Sequence, residues 1–125
     1  MSNVSSTLLL KPLLVALFQE KAQETAYAVW GDGGHDIDDN PLPVASDQTT
    51  LHNQLFEKAI SPLDVVTDDD GNVRITGLLA MDEMVDETVS EFGIKVDGDI
   101  IGIRNSAPKV KQDDEEFETN ITFVF

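Results

Sequence analysis

The chain has 125 residues, the length of one ordinary domain, and its 41% hydrophobic and 26% charged content belongs to a folding protein rather than a disordered one. Its 24 Asp and Glu against 8 Lys and Arg give a net charge of −16, which repels phosphate and so argues against nucleic acid and anionic membrane as partners. The absence of cysteine excludes disulfides, thiolate catalysis and thiolate-held metals.

At the N-terminus, Ser5, Ser6 and Thr7 supply cap candidates, Pro12 fits a first helical turn, and Leu13, Leu14, Ala16, Leu17 and Phe18 recur at helical spacing. The expectation is a helix over about 9–23, apolar round much of its girth, with a sheet on one side and another subunit on the other. Leu10, Leu13, Leu14, Leu17 and Phe18 are the predicted oligomer or docking contacts. The apolar run from Leu8 to Phe18 is broken by Lys11 and Pro12 and follows no basic leader, so neither a membrane span nor a secretory signal is expected.

A β-prone stretch at 26–30 then meets Gly31-Asp32-Gly33-Gly34, a strong breaker, and an acidic loop is predicted over about 32–47. Thr49 or Thr50 is expected to cap a helical turn carrying Leu51, Leu55 and Phe56. The remainder, 55–125, is β-rich. Runs at 59–67 and 72–79 flank Asp68-Asp69-Asp70-Gly71, and runs at 88–96 and 100–104 flank Asp97-Gly98-Asp99; both are hairpin patterns. After a polar connection from Pro108 to Glu116, Ile121, Phe123 and Phe125 alternate with Asn120, Thr122 and Val124, the period of a strand with one buried face. The predicted fold is α+β, a single domain with the N-terminal helix packed on a mainly antiparallel β-sandwich or sheet of about six strands.

Chemistry leaves few marks on this sequence. Aligning Gly71 with the glycine of a calcium loop puts Val66 and Gly77 at ligand positions, so that motif fails. Asp32, His35, Asp36, Asp38 and Asp39 offer oxygen and imidazole ligands for a weak calcium or magnesium site, although a solvated acidic loop explains them as well in so acidic a chain. The histidines are His35 and His52, and no serine or threonine sits in a nucleophile motif. Asp82, Glu83, Asp86 and Glu87 read as a solvated loop. No catalytic residue and no cofactor is expected, and the protein is read as a non-enzyme.

Taken in order, these segments resemble a family of small structural proteins of tailed phages that includes the N-terminal attachment domains of tail-fibre and baseplate proteins. The likeness rests on an N-terminal helix, then Tyr27-Ala28-Val29-Trp30-Gly31-Asp32-Gly33-Gly34, then Gln48-Thr49-Thr50-Leu51-His52-Asn53-Gln54-Leu55. A hairpin at 60–79 follows, then Val89-Ser90-Glu91-Phe92-Gly93-Ile94, the turn Asp97-Gly98-Asp99, Ala107-Pro108-Lys109 and a closing strand at 120–125. Two features depart from the pattern. Glu57-Lys58 stands where the family carries an arginine, and the 34–47 loop is longer and acidic.

The resemblance implies a virion structural protein, an adaptor or attachment subunit of a tail tip or baseplate, working as a ring or trimer beside other virion proteins. Because the sequence stops in its last strand, a docking module without a shaft is expected; a capsid turret or decoration subunit is the nearer alternative and a cation-binding accessory protein the more distant one. The excess of Asp over Glu, with arginine at Arg74 and Arg104 alone, resembles proteins of salt-loving archaea and their viruses. Such a chain repels itself until salt shortens the Debye length to about 3 Å near 1 M. From the residues themselves, Gly31, Gly33 and Gly34 are expected to supply positive φ at a strand exit. Gly93 is expected to mark a bulge or close approach, and Glu91, beside Phe92, either an exposed acid or a partly buried partner of Arg74 or Arg104.

Overall fold

A computed structural model describes residues 8–125, so the predicted caps Ser5, Ser6 and Thr7 lie outside the described residues. Helix α1 (Leu10–Thr25) is followed by strands β1 (Tyr27–Gly31), β2 (Gln54–Ala59), β3 (Val65–Thr67), β4 (Val73–Leu79), β5 (Thr88–Val96), β6 (Asp99–Val110) and β7 (Phe117–Phe123). They form an antiparallel four-stranded sheet in the order β2-β1-β5-β6 and an antiparallel three-stranded sheet in the order β3-β4-β7. The fold is α+β, with the helix packed on the sheets, as the sequence predicts.

Alternation builds the core between the sheets. On β4, Val73, Ile75, Gly77 and Leu79 turn inward while Arg74 and Leu78 face out, the one-sided pattern of a solvated antiparallel strand. Across the gap stand Trp30 of β1 and Phe92 of β5, with ring centroids 5.5 Å apart. Strand β5 is buried on both faces, because the 32–53 loop lies over its outer side, where Leu51 packs close to Gly93. Helix α1 adds Val15 and Ala22 to this core and ends where Thr25 Oγ1 accepts the Asp97 N–H of the β5–β6 turn at 2.9 Å. That turn has positive φ at both Asp97 and Gly98, the backbone of a two-residue type I′ hairpin.

Several expectations need correction. Residues 49–53 form no helical turn; the chain runs through a loop into β2. The 59–67 run is interrupted by one helical turn, Pro62–Asp64, capped by Ser61. Strand β6 continues through Pro108 to Val110, which an edge strand permits because one side of it needs no ladder N–H. Positive φ among the described glycines falls at Gly71 and Gly98, not at Gly31, Gly33 or Gly34. Phe18 does not share the outer helix face: it turns inward, its ring 5.4 Å from Phe123 and 5.3 Å from Phe125.

Candidate functional site

The loop after β1 is held by one carboxylate. Glu91, 1% exposed, accepts the backbone N–H groups of His52 and Asn53 at 2.8 Å each and of Gly33 at 3.2 Å. Three amides replace the water that a buried carboxylate loses, so no arginine is needed, and neither Arg74 nor Arg104 bonds to it. The predicted pairing with arginine is therefore replaced by a backbone clamp, and the exposed alternative is replaced by full burial.

Glycine serves close approach here. A Cβ on Gly31 would stand 2.1 Å from the Asn53 carbonyl oxygen, and one on Gly34 would stand 2.2 Å from that of Ser90. Gly34 donates its N–H to Ser90 Oγ at 2.9 Å, and Asn105 Nδ2 donates to the Leu42 carbonyl at 2.9 Å. The β5–β6 register shifts between Val89 and Glu91 and again between Ile94 and Lys95, one residue past Gly93, which also packs closely against Val29 and Leu51.

One contact has the outline of a nucleophile and its base: Ser90 Oγ lies 2.8 Å from His35 Nδ1. Ser90 is fully buried and its oxygen already accepts the Gly34 amide, so a substrate carbonyl has no route to it. The pair fastens the loop to β5. No local pattern announces it, since the two residues are 55 positions apart.

The five candidate metal ligands are not gathered. Asp32 accepts from Asn53 Nδ2 at 2.6 Å, His35 is occupied with Ser90, and Asp36 Oδ1 accepts the N–H groups of Asp38 and Asn40 at 2.9 Å each. Among the described residues no group of three His, Asp or Glu side chains converges as a metal site. The Asp68 turn repeats the design, with Oδ1 accepting from Asp70 and Asn72. These first aspartates act as turn-formers.

Of the four carboxylates in the 82–87 segment, Asp82, Asp86 and Glu87 are exposed as expected, and Glu83 alone is half-buried. Glu83 accepts from Lys58 Nζ and from the Ala80 N–H, at 2.7 Å each. Burial opposes its ionisation, yet these bonds and the charges of Lys58 and Lys111 outweigh it and hold the carboxyl below the ordinary glutamate range. Lys111, fully buried, donates to the carbonyls of Met81 and Gln112.

The surface that chemistry does not account for lies on α1. Leu10, Leu13, Leu14 and Leu17 stand at i, i+3, i+4 and i+7 and are 41%, 55%, 47% and 54% exposed. Val15, Phe18 and Ala22 occupy the inner side of the same helix. The helix is thus apolar on two faces, and the fold covers one. The bare stripe is about 10 Å long at 1.5 Å per residue. Roughly 1 kcal/mol of transfer free energy remains to be gained at each leucine when the stripe is covered. Beyond Leu17 the same face turns charged with Glu20, Lys21 and Glu24, which limits a dry contact to the first turns.

No protein-family model matches the chain, and no curated protein matches it. Among the described residues no helix is long and apolar enough to cross a membrane.

Proposed function

We propose that the protein is a non-catalytic structural subunit of a tailed virus particle, an adaptor or attachment piece of the tail tip or baseplate, that assembles with copies of itself through α1. The observation that carries the docking part is the leucine stripe, which a folded chain of this size has no internal reason to leave in water. Homo-oligomers are the common solution for such a patch, because one stripe covers another across a symmetry axis. The reading of a virus tail draws on the ordered resemblance of the segments from Tyr27 to Phe125, in which Gly31, Gly34, Glu91 and Gly93 now have packing roles.

Gold-labelled antibody against the protein, applied to intact particles, tests the assignment. Label at the tail end is expected. Label confined to capsid vertices would replace the tail reading with a turret subunit, and particles without label would remove both.

A further inference from the structure

Beside the leucine stripe, α1 and the β3–β4 turn enclose a groove of about 640 Å³. Its floor is made by Pro12, Val15 and Ala16, with the exposed Leu8 and the stem of Lys11 at its edge, and its far wall is the Asp68–Gly71 turn. A Gln19–Thr67 hydrogen bond and a bond from Lys11 Nζ to the Asp70 carbonyl at 3.2 Å tie the two walls together. The Asp68 carboxylate is spent on the turn itself, whereas the exposed side chains of Asp69 and Asp70 have no ion pair or hydrogen bond among the described residues.

We infer that this groove receives a segment of a different protein that presents an apolar side chain next to lysine or arginine. The inference rests on reading the protein as a docking module and adds a second surface with its own partner. Apolar floor and unpaired acidic rim ask for those two features together, and charge complementarity sets partner choice more than area does. A second copy fits the groove poorly. Of the eight cations, Lys11, Lys21, Lys58, Lys95, Lys109, Lys111 and Arg104 are already engaged, which leaves Arg74. An acidic surface brought directly against Asp69 and Asp70 is repelled locally, a cost that the uncharged leucine side chains of the stripe do not carry.

The test is fluorescence anisotropy with a labelled octapeptide, two central leucines flanked by lysines, at the lowest salt at which the protein stays folded. Wild type is expected to bind it. Binding weakens about tenfold or more in the double variant Asp69→Asn/Asp70→Asn, which leaves the Asp68 turn bonds intact, and in Ala16→Arg, which blocks the floor. The same loss of charge at Asp113→Asn/Asp114→Asn leaves binding unchanged, and a peptide with alanines for the leucines binds no better than background.

Equal loss in both charge variants would reduce the effect to net charge and overturn the inference, as would absent binding or equal binding of the alanine peptide. A change in the sedimentation of the protein alone on altering the groove would instead assign it to a second copy. Failure of the self-assembly reading shows separately, as a wild-type chain that sediments as a monomer at all concentrations.

Discussion

The carboxylate of Glu91 accepts the backbone N–H of Asn53 at 2.8 Å across 38 positions of sequence, and this bond joins β5 to the foot of β2. With the His52 and Gly33 amides on the same side chain, it fixes both ends of the 32–53 loop to one strand.

Glu91→Ala removes the acceptor for three amides at once and is expected to cost roughly 2–4 kcal/mol. Glu91→Gln costs less, since one acceptor oxygen remains. Denaturant midpoints measure the loss, and hydrogen exchange localises it: the His52 and Asn53 amides speed up while those of β4 keep their protection. Unchanged exchange at these two amides would show that something else holds the loop.

Gly34→Ala drives a methyl group to 2.2 Å from the Ser90 carbonyl oxygen, a backbone atom that cannot swing aside. Overpacking of this kind costs roughly 1–3 kcal/mol. A lowered melting temperature is expected, together with loosened exchange at Gly33 and His35.

Glu83 gives the fold a defined acid sensitivity. Its folded carboxyl lies below the ordinary value of 4.5, so its contribution is fully present above that value and fades as pH falls through the lowered folded value. The stability gap between wild type and Glu83→Gln is therefore expected to be constant near neutrality and to close below pH 4.5. A gap that widens on acidification would reverse the sign.

Salt should stabilise the protein. Self-repulsion from a net charge of −16 is screened as the Debye length shrinks, so the melting temperature is expected to climb steeply with sodium chloride and to flatten near molar concentrations. A melting temperature indifferent to salt would count against the salt-loving reading of the composition.

What the sequence discloses divides along local and long-range physics. The type I′ turn at Asp97-Gly98, the inward Val73, Ile75 and Leu79, and the helix with Pro12 in its first turn are legible because neighbouring residues decide them. Strand β2 is hidden. Its burial alternates, with Phe56 and Lys58 half-buried, but an inward lysine and an outward Leu55 erase the hydrophobic alternation of Gln54-Leu55-Phe56-Glu57-Lys58-Ala59, and pairing with β1 decides its form.

The clamp is hidden for the same reason, as its donors lie 38 to 58 positions from Glu91. The closest sequence signal is a lone acid inside Val89-Ser90-Glu91-Phe92-Gly93-Ile94, a run too apolar for a one-sided strand. The exposed leucine stripe is legible in part. The periodicity marks Leu10, Leu13, Leu14 and Leu17 together with Phe18, and only the packing against Phe123 and Phe125 separates Phe18 from the outer face.

In the function proposed above, the bare face of α1 is a contact between copies. Sedimentation velocity in high salt over a wide range of protein concentration, comparing wild type with Leu13→Glu/Leu17→Glu, tests it most directly. The two positions are about half exposed, so the variant keeps its core and its circular dichroism. A concentration-dependent oligomer is expected for wild type and a folded monomer for the variant. A wild-type monomer at every concentration, or an oligomer untouched by the two glutamates, would contradict it.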